Sequence, residues 1–319
     1  MNILITGAFG FVGTNLSRAL SATGKHRLIA LDLTEPKNHR YNEFVSWVEL
    51  HTLNGRNIDA IIHLAGKAHD TKNTSEEKAY FDVNVGLTKT IFEKFLTSNA
   101  QKFIFFSSVK AVADTVEGDQ LSEDDIPKPG TPYGKSKLEA EQYLTNRLME
   151  WEQETGSIYK QLYILRPAMI HGPGNKGNLN LLYKLVSKGI PCPLGAFENK
   201  RSFTSIDNVA FVVHQIIEKN IESGIYNLAD DEPLSTNQLI ELIAQSKGKK
   251  ANLWKIPQRI ILVSAKLGGL LRLPLNPERL KKLIESYVVS NQKIKQTLSI
   301  DKMPISAEDG IIKTLKSFK

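Results

Sequence analysis

The sequence predicts an α/β fold in which helices cover both faces of a doubly wound parallel β-sheet. Short apolar runs alternate with longer helical segments through the first two thirds of the 319 residues. The helical segments space their apolar residues as helices that bury one face do. Because parallel strands need a crossover segment between them, this alternation indicates a parallel sheet, followed by a smaller C-terminal region.

The predicted elements follow in order along the chain. Apolar runs predict strands over 2–6, 28–31, 60–64 and 103–106, and amphipathic spacing predicts helices over 11–22, 79–98, 135–154, 236–246 and 277–286. Segments rich in glycine, proline and asparagine predict loops over 166–180 and 191–200. We place a domain boundary near residue 165, which gives a first domain over 1–165 and a second region over 166–319. Some later segments are expected to return to the first domain.

Composition narrows the class of protein. The single cysteine, Cys192, excludes an internal disulfide. No run of 18 apolar residues is present to span a membrane, and the first residues do not resemble a signal peptide. We therefore expect a soluble cytoplasmic protein.

Charge is distributed unevenly along the chain. Residues 245–319 contain 16 Lys and Arg against 5 Asp and Glu, whereas residues 1–244 contain 25 against 29. Such a basic segment attracts nucleic acid, anionic lipid or phosphorylated small molecules, or it is ordinary solvated surface. Composition alone does not separate these readings.

A glycine-rich turn directly follows the first strand. Gly7, Gly10 and Gly13 have the spacing of a turn that lets the backbone approach a pyrophosphate and lets the next helix pack on the sheet. The helix begins at Phe11, and its free N–H groups favour an anion. This order of strand, turn and helix predicts a Rossmann-type dinucleotide-binding domain.

Asp32 ends the second predicted strand, where a carboxylate can accept hydrogen bonds from both ribose hydroxyls and repels a 2′-phosphate. The residue therefore favours NAD over NADP, although Arg40 nearby leaves NADP as the alternative. Glu49 ends a strand-like run, where it either contacts adenine or is exposed to solvent.

Tyr133 and Lys137 lie one helical turn apart and project from the same face. A neighbouring ammonium stabilises the phenolate, which lowers the pKa of the tyrosine from about 10 toward neutral pH. Ser107 and Ser108 end the strand that precedes this helix, and they place a hydroxyl at the edge of the sheet where ligands bind. Together these residues predict acid–base chemistry on an alcohol.

These motifs together resemble the extended short-chain dehydrogenase/reductases, the NAD-dependent epimerase/dehydratase family of nucleotide-sugar enzymes. The resemblance covers nearly the whole chain in order. Besides the residues above, it rests on segments 63–66, 166–167, 172–174, 201–209 and 226–228 and on Asn84.

The resemblance implies specific roles. Tyr133 would be the acid–base, Lys137 would tune its pKa and bind the nicotinamide ribose, and Ser108 would hold the sugar oxygen, with Ser107 as the alternative. Asn178 and Arg201 would grip the nucleotide diphosphate. The residues expected to bind NAD are Gly7, Gly10, Phe11, Gly13, Asp32, Glu49, Leu64, Ala65, Gly66, Asn84, Tyr133 and Lys137. The first domain would then bind NAD and the second region the substrate.

The implied function is that of an NAD-dependent epimerase acting at C4 of a UDP-hexose-like substrate. An NAD(P)H-dependent reductase of 4-keto nucleotide sugars needs the same residues and stays open as the alternative. A non-catalytic dinucleotide sensor is the rival of another class. The 4,6-dehydratases of the family carry Asp and Glu where this chain has Val109 and Lys110, so dehydration is not expected.

The remaining expectations concern metals and partners. His63, His69 and His171 have no cysteine or carboxylate at ligand spacing, so no metal is expected. The partner is a nucleotide-diphosphate sugar rather than nucleic acid. The resemblance implies a homodimer through the helices that follow Ala79 and Lys135.

The apolar segment 258–275 is interrupted by Lys266, and it is either a buried or partner-facing helix or a helix at a membrane surface.

Overall fold

The structure is a computed structural model that describes residues 1–53, 55–68, 76–175, 177–270 and 276–318. Its strands are β1 (Asn2–Thr6), β2 (Arg27–Asp32), β3 (Glu43–Ser46), β4 (Ala60–His63), β5 (Lys102–Phe106), β6 (Gln161–Pro167), β7 (Met169–His171), β8 (Phe203–Ser205) and β9 (Gly224–Leu228). Its α-helices are α1 (Phe11–Ser21), α2 (Glu77–Phe81), α3 (Leu87–Thr97), α4 (Pro132–Thr155), α5 (Asn178–Ser187), α6 (Ile206–Glu218), α7 (Thr236–Ser246), α8 (Gln258–Leu270), α9 (Pro277–Ile284), α10 (Gln292–Leu298) and α11 (Ala307–Lys316). Short 3₁₀ helices cover Trp47–Leu53 and Val109–Ala111, and a π-helical turn covers Asp82–Gly86.

The central sheet is parallel, with strand order β3-β2-β1-β4-β5-β6-β9. The chain moves outward from β1 in one direction and then returns to continue from β4 in the other. This reversal opens a crevice at the carboxyl ends of β1 and β4, which is where open α/β sheets bind ligands. The predicted fold class is confirmed.

Successive side chains of the strands point alternately into two hydrophobic cores, one on each face of the sheet. Ile3 and Ile5 of β1 belong to the core beneath α1 and α6, whereas Leu4 between them belongs to the core beneath α3 and α4. All three side chains are essentially inaccessible to solvent. Burial on both faces explains why the strand sequences are continuously apolar.

Two buried lysines fasten helix ends at the amino edge of the sheet. The Nζ of Lys102 donates to three carbonyl groups at the end of α6, at 2.7, 3.0 and 2.7 Å. The Nζ of Lys160 does the same at the end of α3, at 2.8, 2.7 and 2.7 Å. Burial lowers the pKa of Lys160 to about 8. One helix on each face is therefore anchored at the edge opposite the crevice.

Two stretches differ from the sequence prediction. The loop predicted over 166–180 is wrong in part, because β7 pairs with β8 and α5 begins at Asn178. A three-residue strand among glycine, proline and asparagine has no periodicity by which it could be recognised. The helix predicted over 79–98 is divided by the π-helical turn, which contains Asn84. Turns of this kind often occur at functional sites.

Segments beyond residue 165 contribute to both parts of the molecule. Strand β9 pairs with β6 and α6 packs against α1, whereas α5, α7 and α11 form a separate hydrophobic cluster. Strand β6 continues to Pro167 and so crosses the predicted boundary. The division into an NAD-binding domain and a substrate-binding region stays a prediction. Within the described residues, no helix has the length and hydropathy needed to cross a membrane.

Candidate active site

The glycine turn lies at the crevice between β1 and α1. Gly7 has φ +62°, and a Cβ there would lie 2.8 Å from the backbone nitrogen of Ala65. A Cβ on Gly13 would overlap the carbonyl oxygen of Ala8. Gly10 caps α1 without a side-chain hydrogen bond, and the first turn of the helix has no acidic residue. The turn is therefore open backbone at a helix N-terminus, which suits a pyrophosphate.

Asp32 lies at the end of β2 beside this turn. Its Oδ2 accepts a hydrogen bond from the backbone N–H of Phe9 at 2.8 Å, and its Oδ1 accepts one from Leu33 at 2.8 Å. A carboxylate has about four lone-pair sites. Two stay available for ribose hydroxyls, and the bond to Phe9 fixes their position relative to the glycine turn.

Glu49 is not at the end of a strand. Strand β3 ends at Ser46, and Glu49 lies in the following 3₁₀ helix. Its Oε2 accepts hydrogen bonds from the backbone and hydroxyl of Ser46, at 3.3 and 2.8 Å, and these bonds lower the pKa of the exposed carboxyl. The predicted contact with adenine stays a prediction.

A buried histidine supports the loop after β4. The Nδ1 of His63 lies 2.7 Å from the hydroxyl of Thr6, and its Nε2 lies 2.9 Å from the hydroxyl of Thr88. Thr88 donates its own proton to a backbone carbonyl, and the Thr6 oxygen accepts from the backbone N–H of Leu64 and Ala65. His63 therefore carries its proton on Nε2 and accepts on Nδ1. This network fixes Leu64 and Ala65 against β1.

Asn84 connects the next part of the loop to α4. Its Oδ1 accepts from the backbone N–H of Lys67 at 2.7 Å, and its Nδ2 donates to Ser136 at 2.9 Å. A Cβ on Gly66 would lie 2.9 Å from the same Oδ1. The π-helical turn thus directs a fully buried amide at the loop that is expected to lie along the cofactor.

Tyr133 and Ser108 come together at the start of α4. Pro132 begins this helix, and the Thr131 side chain caps it by accepting from Gly134. Burial raises the pKa of Tyr133, and a hydrogen bond with Ser108 partly opposes that rise. The sequence predicts that Lys137 lowers the pKa of Tyr133. Within the chain itself, however, burial dominates.

Lys137 projects from the same face of α4 but bonds elsewhere. Its Nζ donates to the carbonyl of Phe106 at 2.9 Å and lies over the ring of Phe105. Burial lowers the pKa of Lys137 to about 8, while the charge of Glu141 opposes the shift. The ammonium is thus held at the end of β5, close to Gly66.

The two serines at the end of β5 have different partners. The Ser107 hydroxyl donates to Glu141, a side chain of α4 that also forms a buried ion pair with Arg166. The Arg166 Nη2 lies 2.5 Å from Glu141 Oε2, and both side chains are 3% exposed. Because Ser107 is engaged in this network, Ser108 is the hydroxyl available to a substrate near Tyr133.

Two basic residues beyond Ser108, Lys110 and Arg201, lie close enough for their charges to act on each other. Lys110 follows Ser108 closely, and its Nζ lies 3.9 Å from the ring centroid of Tyr287. Burial lowers the pKa of Lys110 to about 8, with the charge of Asp114 opposing that shift. The backbone of Arg201 bridges to Leu234 and, through its neighbours, to the strand-like segment at Tyr287. Asn178 begins α5, and its side chain lies outside the described residues.

Comparison with known proteins identifies the family. Residues 3–229 match the model of the NAD dependent epimerase/dehydratase family. The chain belongs to this family. A UDP-glucose 4-epimerase of Vibrio cholerae is 30% identical over 270 residues, which cover 80% of this chain and 78% of the relative. A 4-epimerase of N-acetyl-α-D-glucosaminyl-diphospho-ditrans,octacis-undecaprenol from Escherichia coli O157:H7 is 30% identical over 267 residues, which cover 80% and 75%.

Solved structures support the same fold. A UDP-glucose 4-epimerase of Thermotoga maritima, solved with UDP-glucose, has a TM-score of 0.75 and 23% identity, and the match covers 100% of this chain and 98% of that one. The predicted family, its enzyme class and NAD as cofactor are confirmed by the family match. The glycine cradle, which added Cβ atoms would fill, fits this cofactor.

A glycine substitution separates crowding from backbone strain in this epimerase/dehydratase family member. Gly7 and Gly24 have φ of +62° and +65°, but nothing lies within 4 Å of a Cβ on Gly24. We expect Gly24→Ala to lose about 1–2 kcal/mol of stability through backbone strain alone. Gly7→Ala should lose more, because backbone atoms of Ala65 also crowd its Cβ. Only Gly7→Ala should also weaken NAD binding, by at least about tenfold, because a backbone hydrogen bond to a charged group contributes about 1.5–3 kcal/mol. Titration calorimetry measures the NAD affinity of each variant. Equal NAD affinities of Gly7→Ala and Gly24→Ala would contradict the prediction.

His63 should make the stability of the protein depend on pH. Burial lowers its pKa from 6.5 to about 3. Between pH 6.5 and about 3 the unfolded chain binds a proton at this histidine that the folded chain does not. The free energy of unfolding therefore decreases by about 1.4 kcal/mol for each unit by which the pH is lowered in this range. Urea unfolding at several pH values should show a smaller loss for His63→Gln, which does not titrate. Identical slopes for the two proteins would refute the assignment.

Potential metal ligands occur together at one place in the described chain. Ligand atoms of His26, His214 and Glu218 lie within 4.8 Å of one another at the amino edge of the sheet, opposite the crevice. Lys25 and the N-terminal amine lie beside them, and their charges oppose a bound cation. His63 and His171 are not part of this cluster, and His69 lies outside the described residues.

Several residues that shape the site have little signal in the local sequence pattern. Glu141 and Tyr287 lie far in sequence from the serines and Lys110 that they contact. The hydroxyl of Tyr287 donates to the carbonyl of Ala113 at 2.7 Å, so it braces the turn after Ser108. Glu141 lies one helical turn after Lys137, and this i, i+4 spacing is the one signal that could have indicated it.

Proposed function

We propose that this protein is an NAD-dependent 4-epimerase that acts at C4 of a UDP-linked hexose. One observation carries the proposal: Ser108 and Tyr133 form a hydrogen bond beside the glycine cradle, at the carboxyl edge of the sheet. Two hydroxyl groups in this arrangement can both bind one alcohol oxygen of a substrate. A relative of about the same length that is named a UDP-glucose 4-epimerase supports this reading.

Tyr133 and Ser108 have different roles at the C4 oxygen. Tyr133 accepts the proton of the C4 hydroxyl as the ketone forms and returns it when the alcohol is restored. Ser108 donates a hydrogen bond to the same oxygen and so stabilises charge that develops there. NAD, when bound, would supply the hydride acceptor and donor. C4 is inverted without net oxidation only if the 4-keto sugar turns and presents its opposite face before the hydride returns.

Lys137 acts on the cofactor side of Tyr133. The carbonyl of Phe106 holds its ammonium beside Gly66, where it can bind the nicotinamide ribose. Its pKa of about 8 leaves it mostly charged at neutral pH. A positive charge beside Tyr133 would favour its phenolate.

The diphosphate is assigned to the basic side of the site. Arg201 and Asn178 would bind its oxygens, as the resemblance to the family implies. Lys110 adds a second cation near Arg201, and the two charges act on each other. Lys110 also occupies the position at which a dehydratase would need a carboxylic acid, which supports epimerisation or reduction over dehydration.

The carrier of the sugar distinguishes two substrate candidates. The relative from V. cholerae is named for UDP-glucose, and the relative from E. coli for a sugar on undecaprenyl diphosphate. Both carriers present the diphosphate assigned to Arg201. UDP-hexoses are the first candidate, since they need no lipid surface.

The test uses purified protein, UDP-glucose or UDP-N-acetylglucosamine, and NAD without added reduced cofactor. We expect conversion to the 4-epimer, seen by nuclear magnetic resonance, with no net change in absorbance at the reduced-nicotinamide band. A reductase would instead consume reduced cofactor stoichiometrically with a 4-keto sugar and leave UDP-hexoses unchanged. That result would replace the epimerase by the alternative function, whereas inactivity with every sugar would favour a dinucleotide sensor.

A further inference from the structure

Helix α8 has apolar side chains on two opposite faces. Ile261 and Ala265 are buried, where they pack against Leu194, Phe197 and Leu280. A second set faces solvent at positions i, i+3, i+7 and i+10, and we call it the α8 stripe: Ile260, Val263, Leu267 and Leu270. At about 100° per residue the stripe occupies an arc of about 80°, centred about 160° from the buried face. Its side chains are 55–81% exposed.

A row of positive charge runs along one side of the stripe. Arg259 and Lys266 are seven residues apart, and each falls within about 40° of the edge of the stripe. Both are exposed, and α8 contains no acidic residue. The surrounding segment 245–319 has an excess of 11 positive charges, from 16 basic and 5 acidic residues.

We propose that the α8 stripe docks this protein on the surface of an anionic phospholipid bilayer. A continuous apolar face with basic side chains along its border is the pattern of helices that lie in the plane of a membrane. The apolar face enters the boundary between headgroups and acyl chains, while Arg259 and Lys266 bind lipid phosphates. The helix has 13 residues, and docking requires no crossing of the bilayer.

The location of α8 connects this surface to the active site. The chain continues from α8 through α9 to Tyr287, which contacts the turn that follows Ser108. The charges of Lys281, within α9, and of Glu285, just after its end, act on Lys110. Docking would therefore hold the side of the site that contains Lys110 close to the bilayer, whether or not the proposed epimerase activity is correct.

The stripe is distinct from the dimer contact that the sequence resemblance implies. That contact would use the helices after Ala79 and Lys135, which correspond to α3 and α4. These helices cover the sheet, whereas α8 packs on the cluster around Phe197. A homodimer of the expected kind would leave the stripe exposed.

The test is sedimentation of the full chain with vesicles of phosphatidylcholine alone and with vesicles that also contain phosphatidylglycerol. We expect binding to the anionic vesicles, weaker binding at high salt, and little binding to the neutral ones. Leu267→Glu should weaken binding at least about tenfold, because it places a negative charge in the apolar stripe. Ile158→Glu, a change at a side chain 86% exposed elsewhere on the surface, is the matched control and should bind as the unaltered protein does.

Two further measurements make the outcome decisive. NAD affinity and epimerisation of a soluble UDP-hexose should be the same in Leu267→Glu as in the unaltered protein, which shows that the variant is folded and separates docking from catalysis. Light scattering gives the oligomeric state of each protein. Absence of vesicle binding, equal binding by both glutamate variants, or dissociation of an oligomer by Leu267→Glu alone would overturn the proposal, the last by assigning the stripe to a second copy of the chain.

Discussion

Replacing Tyr133 by phenylalanine should lower kcat for epimerisation by about 10²–10⁴-fold, which is the usual contribution of a positioned acid–base group. The variant loses the one oxygen that we propose to exchange a proton with the C4 hydroxyl. It keeps the ring, which lies 6.4 Å from that of Tyr80. Steady-state kinetics with UDP-glucose measure the effect.

Tyr143→Phe is the matched control for this substitution. Tyr143 is half-buried on the same helix, and its hydroxyl donates to Glu93 of α3 at 2.6 Å rather than to a residue of the proposed site. Removing that hydroxyl should leave kcat within about threefold of the unaltered value, because it takes no part in the proposed proton transfer. Full activity of Tyr133→Phe would remove the tyrosine from the mechanism and reopen the sensor interpretation.

Replacing Glu141 by leucine should lower the free energy of unfolding by about 3–5 kcal/mol, because a buried guanidinium is left without its carboxylate. The Arg166 Nε lies 3.0 and 3.2 Å from the two carboxylate oxygens, and its Nη2 completes the pair. The Ser107 hydroxyl loses its acceptor in the same variant. Urea denaturation, followed by circular dichroism, measures the loss.

The double variant Glu141→Leu with Arg166→Met gives the sharper result. Apolar residues of similar volume often replace a buried ion pair at little cost, so the double variant should recover most of the lost stability. Glu154→Leu breaks an exposed contact with Arg147 on the same helix and should change stability by about 0–1 kcal/mol. If the double variant is as unstable as Glu141→Leu alone, the pair is not what the single substitution disrupts.

The sequence predicted those parts of the site that depend on local backbone. The glycine turn is specified by three positions within seven residues, and it lies directly between β1 and α1. Asp32 follows because a strand end is recognisable from its apolar run. Tyr133 and Lys137 follow because four residues make one helical turn. In each case either the residues that act together are close in sequence, or the residue ends a strand and so lies at the carboxyl edge of the sheet.

The rest of the site depends on contacts between distant segments. Glu141 meets Ser107 across 34 residues, and Tyr287 meets Ala113 across 174. No periodicity in a single sequence specifies such pairs. The π-helical turn at Asn84 was missed for a related reason, since one extra residue in a helical turn hardly alters the apolar spacing. The short strand β7 forms only because β8 is there to pair with it.

The two lysine anchors at the amino edge have a consequence for local stability. They tie α3 and α6 to the edge of the sheet that lies opposite the crevice. Opening of that end requires two ammonium groups to lose three bonds each, so its amides should be among the slowest to exchange with solvent. The loops at the opposite edge, where the proposed site lies, can then open or rearrange while the framework beneath them stays intact.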